Sequence, residues 1–221
     1  DKIDVIYNGV DHNVFVPAPK PERTKDVPTV VSAARIFELK DILTMIRSCA
    51  EVKKSIPNVQ YLVYGDNEAV PEYTRECNKL IAELGLKDNF KLAGFHAEPS
   101  KIFCEGDISI LTSISEGFPY TVIESMSCGI PVVATDVGGV SEALDSSCGF
   151  ICKPKDHVEI GKRVVELLQN ELLRKVVENF KINKFIKGYE YAYEKVMSRK
   201  DVQTPHPIFA QMEIGEAQEA S

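Results

Sequence analysis

The sequence predicts a doubly wound α/β domain on a parallel sheet, and three observations predict it. Short β-branched apolar bursts recur along the chain, amphipathic segments of helical period separate them, and 221 residues suit one large domain or one domain plus extensions. Bursts that are apolar at successive positions, rather than alternating, are what parallel strands buried on both faces require. The nearly regular strand–helix spacing argues against an antiparallel sandwich.

The chain opens on Asp1 and runs at once into the strand-like IDVIY of residues 3–7, which reads as the start of a fragment or excised domain. A strand is expected at 27–33. The helix expected over 41–54 carries Ile42, Met45, Ile46 and Cys49 three and four residues apart, so that one stripe covers a sheet face. A strand at 59–64 and a helix at 71–84 repeat the unit: Tyr73, Cys77, Leu80, Ile81 and Leu84 form the stripe, Pro71 suits the first turn, and Gly85 suits the stop. Strands follow at 90–93 and 108–111. A third helix is expected at 120–128 with Gly129 as its end, and Pro131, unsuited to a helix interior, launches a strand at 131–135. A helix at 156–170 places Ile160, Val164, Leu167 and Leu168 on one side, and 172–197, with Val176, Phe180, Phe185, Tyr189 and Tyr193, gives one or two more. Beyond, the pattern fails: a Pro-His-Pro, no sustained period, and from Lys200 one base against four acids. The domain is therefore placed at 1–199 and an acidic, disordered or loosely packed tail at 200–221.

Composition narrows the function. Lys+Arg 26 against Asp+Glu 33 gives a net charge of -7, which argues against a general nucleic-acid or anionic-membrane surface. No stretch approaches the roughly 20 apolar residues of a membrane span, and no signal peptide opens the chain. The six cysteines, mostly inside apolar runs and without a repeated CxxC, read as reduced core residues of a cytosolic protein. Four histidines, His12, His96, His157 and His206, show no metal-ligand spacing, so no zinc site is expected. GxGxxG, GxxxxGK[ST] and GxSxG are all missing, which removes the main support for a dinucleotide dehydrogenase, a P-loop NTPase or an α/β hydrolase.

In an open parallel sheet, ligands bind where strand C-termini meet helix N-termini. After the first strand, Arg35 and Lys40 flank a loop entering a helix. Two cations there can grip a diphosphate, and a pair of solvent-facing surface cations has the same spelling. After the second strand, Gly65-Asp66-Asn67 permits a plain turn or a close backbone approach. After the third come Phe95 and His96. The informative segment follows the fourth, where Glu116 precedes a helix and Glu124 lies within it, eight residues on. Gly117, Phe118, Pro119, Tyr120, Thr121 and Val122 lie between them. Amides at a helix N-terminus suit a phosphate, and a carboxylate accepting from neighbouring hydroxyls suits a ribose. A helix-cap role for Glu116 and a solvent-facing Glu124 are the bland alternatives. After the fifth strand, Gly138-Gly139 permits a tight turn with free amides.

These residues carry a resemblance. IYNGVD at 6–11, ARIFELKDI ending at Ile42, YGDN at 64–67, the long ISEGFPYTVIESMSCGIPVVATDVGG at 114–139 and GFICKPKD at 149–156 carry it, and it extends from Val5 to about Met197, nearly nine tenths of the chain. They resemble the C-terminal, nucleotide-sugar-binding half of retaining family 4 glycosyltransferases of the two-domain B type, and most of all the PelF-like exopolysaccharide branch. The resemblance implies a Rossmann-like fold, no required metal, and a donor as substrate, with UDP-linked glucose favoured in the PelF-like branch. Arg35 and Lys40 would bind the diphosphate, Glu116 the transferred sugar, and Glu124 the ribose. The turn around Phe118 to Val122 would meet sugar and phosphates, and the base would lie near Gly65, Asn67, Phe95 and His96. The usual Lys-Gly is Lys40-Asp41 here, a departure shared with the PelF-like branch. The resemblance further implies an N-terminal acceptor-binding domain, absent from this chain, a saccharide or lipid-linked acceptor, and a cytoplasmic enzyme compatible with peripheral attachment to the inner membrane face. Such a half would be inactive alone. A noncatalytic nucleotide-sugar-binding module and half of a UDP-sugar 2-epimerase stay open as alternatives.

Overall fold

The computed structural model describes residues 9–11, 13–17, 27–144 and 147–170. The expectations for 3–7, for helices at 172–197 and for the tail from 200 lie outside them. Six strands run in chain order: β1 (Thr29–Ala33), β2 (Gln60–Tyr64), β3 (Phe90–Gly94), β4 (Ile108–Leu111), β5 (Val132–Thr135) and β6 (Gly149–Cys152). All pair in parallel, in the order β3-β2-β1-β4-β5-β6. The winding reverses between β1 and β4, which lie side by side with Val30 opposite Ile108. A crevice opens at such a reversal, beyond the carboxyl ends of the two strands.

Helices α1 (Ile42–Lys53), α2 (Pro71–Glu83), α3 (Pro99–Glu105), α4 (Tyr120–Ser127), α5 (Val140–Ala143) and α6 (His157–Gln169) connect the strands. The stripe of α1 is buried as its period requires: Ile42, Met45, Ile46 and Cys49 are fully excluded from solvent. In α6, Ile160, Val164, Leu167 and Leu168 are buried, and Gly161 lets α1 approach closely enough that an added Cβ would stand 2.7 Å from Glu51 Cβ. In α2, Tyr73, Cys77 and Ile81 are buried, whereas Leu84 caps the helix and remains 40% exposed.

Adjacent residues of β1 divide the core. Val30 joins the large cluster under α1, α2 and α6, and Val31 joins a smaller one of Ile102, Phe103, Cys128 and Ile130 on the opposite face. The sheet is thus covered on both sides, as its unbroken apolar strands demand. All six cysteines are free thiols, five of them buried.

Three elements lay outside the sequence expectations. α3 carries only Ile102 and Phe103 as buried residues, too few to display a period. α5 is a single turn, and β6 is a four-residue edge strand with only Cys152 buried.

Phe103 is the one fully buried ring of the small cluster among the described residues. Phe103→Ala is expected to lower unfolding free energy by about 3–5 kcal/mol, whereas Leu84→Ala should cost less than about 1 kcal/mol because the side chain is already half in water. Urea denaturation of the two variants checks this ordering.

Candidate functional site

The loop leaving β1 is anchored by Ile36, which is fully buried, and ends in a 3-10 turn at Glu38–Lys40. Arg35 points outward with its guanidinium 4.8 Å from the centroid of the Phe37 ring. That cation–π contact fixes the side chain and leaves its N–H edge available. Asp41 follows in the left-handed region (φ 45°, ψ 55°), where glycine is the unstrained residue. This is the place where the Lys-Gly pattern has its glycine. Asp41 compensates as the N-cap of α1: its carboxylate accepts from the Thr44 amide at 3.2 Å and from Thr44 Oγ1 at 2.7 Å.

Three strand ends are laced together beside this turn. Thr112 Oγ1, at the end of β4, donates to the carbonyls of Lys40 (2.9 Å) and Asp41 (3.0 Å), and the Ile114 amide donates to Leu39 O at 2.9 Å. Thr135 Oγ1, at the end of β5, donates to Ser113 O at 2.5 Å. Thr112, Ser113 and Thr135 are completely buried.

On this base two predicted residues meet, 76 positions apart in the chain. Lys40 Nζ donates to Glu116 Oε1 at 2.5 Å, and Ser113 Oγ donates to the same oxygen at 2.5 Å. Lys40 is therefore not the solvent-facing cation that its loop position suggested: its side chain is 17% exposed and that of Glu116 12%. The turn after β5 packs beneath. At Gly138 (φ 53°) a Cβ would stand 1.9 Å from Glu116 O, and the Gly139 amide donates to Gly117 O at 2.7 Å. The expected free amide at Gly139 is thus spent on holding the Glu116–Gly117 backbone.

Helix α4 begins after Pro119 with no side-chain cap. The Val122 amide bonds Pro119 O, while those of Tyr120 and Thr121 have no acceptor among the described residues. The helix end therefore presents unpaired donors and the positive pole of its dipole to the crevice. Glu124 sits one turn further in. Its carboxyl has no partner among the described residues, and burial, with no cation to offset it, pushes its pKa up to about 6.

The remaining candidates follow β2 and β3. The Gly65 amide donates to Gly94 O, and a Cβ there would lie 2.0 Å from Ala34 O, so the residue serves close backbone approach. Asn67 Nδ2 reaches Leu92 O at 3.4 Å; its Oδ1 is buried without a partner, and the side chain lines a groove of about 460 Å³ with Thr74 and Asn78 of α2. Phe95 is 80% exposed. His96 stacks edge-on against Tyr64, and its Nδ1 accepts from the Glu98 amide at 3.1 Å.

Lys40 and Glu116 are thus brought into contact at the β1/β4 reversal, while Asn67 turns onto the α2–β3 groove. Sequence reasoning missed Ser113, Thr112 and Thr135, whose signal was a hydroxyl ending each of two apolar strands.

The family model for glycosyl transferases group 1 matches residues 18–184. N-acetyl-alpha-D-glucosaminyl L-malate synthase of Bacillus anthracis is 22% identical over 211 residues, which cover 88% of this chain and 54% of that protein. The D-inositol 3-phosphate glycosyltransferase of Segniliparus rotundus is 31% identical over 151 residues, 65% of this chain and 34% of that protein. The chain therefore spans about half, or less, of the length of these relatives. Among solved structures, Anabaena HepE in complex with UDP and glucose superposes with a TM-score of 0.75 at 23% identity, over 88% of this chain and 56% of that one. A glycosyltransferase from Rickettsia africae gives 0.70 at 23% identity, over 90% and 59%. The likeness to both is one of fold, the Rossmann-like half of a B-type glycosyltransferase. With most of its length matched by the family model, the chain belongs to the glycosyl transferases group 1 family.

Proposed function

We propose that the chain is the donor-binding part of a retaining glycosyltransferase that moves a hexose from a UDP-linked donor to an acceptor hydroxyl. The observation that carries this reading is the contact of Lys40 with Glu116 at the sheet's reversal, just before the uncapped start of α4 in the chain, with Glu124, unpartnered among the described residues, within that helix. Each element matches one part of a nucleotide-sugar. Arg35, Lys40 and the amides around Phe118 to Val122 take the diphosphate. Glu124 accepts from the ribose hydroxyls, Glu116 contacts the transferred sugar, and the base lies along Gly65, Asn67, Phe95 and His96.

The chemistry follows from where charge develops. As the bond between the anomeric carbon and the phosphate oxygen breaks, negative charge gathers on the diphosphate, and fixed cations and helix amides stabilise it most at that moment. The acceptor oxygen bonds to the anomeric carbon from the face that the diphosphate leaves, and its proton passes to the departing phosphate oxygen. Glu116 and Glu124 then recognise hydroxyls and place charge, rather than acting as a nucleophile and acid pair. No step needs a metal. The acceptor, a saccharide or a lipid-linked one, is held by an N-terminal lobe of the same protein, in keeping with the half-length match to the relatives. A cytoplasmic site for a PelF-like reaction agrees with this, and no helix among the described residues is long and apolar enough to cross a membrane.

Amide spectra titrated with UDP should move signals near Arg35, Lys40 and Glu124, with a Kd in the roughly micromolar to millimolar range. Lys40→Ala should weaken UDP about ten- to hundredfold and uridine hardly at all. No movement at millimolar UDP in the folded chain would overturn the reading.

The raised pKa of Glu124 gives a pH signature with two opposite signs. Because the fold favours the protonated form, its contribution to stability is greatest below the unfolded carboxyl pKa and is lost as pH rises through about 6. Binding runs the other way: the ionised carboxylate is the better acceptor for ribose hydroxyls, so affinity for UDP-glucose, whose diphosphate does not titrate there, should rise over the same window. Calorimetry on wild type and Glu124→Gln checks both, since the variant should lose this carboxyl's share of each slope.

Orienting an acceptor against the anomeric carbon accounts for about 7–11 kcal/mol of a transfer barrier. The 221-residue chain alone is accordingly expected to bind UDP-glucose without transferring glucose to a glucan. An assay of UDP release compares it with a protein carrying both lobes, and turnover above about a hundredth of the two-lobe rate would refute this division of labour.

A further inference from the structure

Resting on the donor-site reading above, we infer that Glu116 also acts against Lys40, competing with the diphosphate for its ammonium and so promoting release of the nucleoside diphosphate product. The ion pair is not a loose surface contact. Lys40 is held through its backbone, with its carbonyl accepting from Thr112 and its amide donating to Phe37 O at 3.0 Å. Glu116 is held too: Ser113 donates to its Oε1, and its own carbonyl is pressed against Gly138. Both side chains are more than four-fifths buried, so their attraction is little screened by water or salt. Any anion that recruits Lys40 must therefore share the ammonium with a carboxylate or displace that carboxylate.

The cost falls unequally on donor and product. In the donor the terminal phosphate is esterified to the sugar; in the product it has one more ionisable oxygen. A bare cation would hold the product more tightly than the donor for that reason alone, and turnover would stall on release. A carboxylate fixed beside the cation opposes the more charged ligand more strongly. When the product leaves, Glu116 Oε1 recovers Lys40 as a partner beside Ser113. Glu116 thus contacts the donor's sugar and tunes the retention of its leaving group, and the second role requires that it be charged.

The test is a double-mutant cycle on the 221-residue chain, with UDP and uridine as probes. Glu116→Gln keeps the shape and removes the charge. It should tighten UDP about five- to tenfold and leave uridine unchanged, uridine binding being the control for an intact fold. In a Lys40→Ala background the same substitution should tighten UDP by clearly less, because only direct repulsion remains to be relieved. Equal tightening in both backgrounds would mean plain repulsion and would overturn the competition, as would no tightening at all. Ser113→Ala, which leaves Lys40 as the sole donor to that oxygen among the described residues, should move UDP the other way and weaken it about two- to threefold; tightening by this variant would also overturn the inference. If Lys40→Ala itself leaves UDP affinity unchanged, the donor-site reading fails and the inference falls with it. If Lys40→Ala weakens UDP while Glu116→Gln fails to tighten it, the inference fails alone.

Discussion

The hydroxyl of Thr112, buried at the end of β4, donates to the carbonyls of Lys40 and Asp41, residues more than seventy positions earlier in the chain. The pairing of Lys40 with Glu116 is placed relative to that contact. The contact fixes the turn that carries Lys40 against the loop that carries Glu116, and the Ile114–Leu39 backbone bond repeats the constraint two residues on. Buried hydrogen bonds of this kind stabilise modestly when made and cost more when one partner is lost, because the orphaned group cannot return to water. The geometry is therefore held by the penalty for breaking it.

Charge in the site is distributed on the same logic. Glu116 accepts from Ser113 and is paired with Lys40, while Glu124 has no such partner among the described residues and has its pKa raised by burial. Two carboxylates eight residues apart in sequence thus occupy opposite electrostatic situations: one is paired within the protein, the other has no partner among the described residues. That division separates a carboxylate whose burial is offset inside the protein from one whose burial no described residue offsets.

Much of this was legible in the sequence. The stripes of α1 and α6 were readable because each repeats an apolar residue every three or four positions against a sheet, and all eight named residues are buried. The long motif from Ile114 to Gly139 marked both glutamates. What escaped has a common physical cause. α3 and β6 are too short to show a period, and Leu84, although in register, stands where the helix turns away from the core. The Lys40–Glu116 pair was illegible because a loop position next to a helix says nothing about which loop will lie across from it; only the strand order brings the two together. Ser113 was hidden for a related reason, since a serine following an apolar strand looks the same whether it faces water or a carboxylate.

The left-handed Asp41 has a consequence in the unfolded chain. A glycine there would adopt the backbone angles freely, but would also wander over many more conformations before folding. An aspartate restricts that ensemble and recovers the local strain through two bonds to Thr44. The ordering of the Lys40 turn is thus supplied when the domain folds rather than when a ligand arrives. A pre-ordered turn spares a bound anion the entropic penalty of organising its own receptor, so weak intrinsic contacts can still translate into usable affinity.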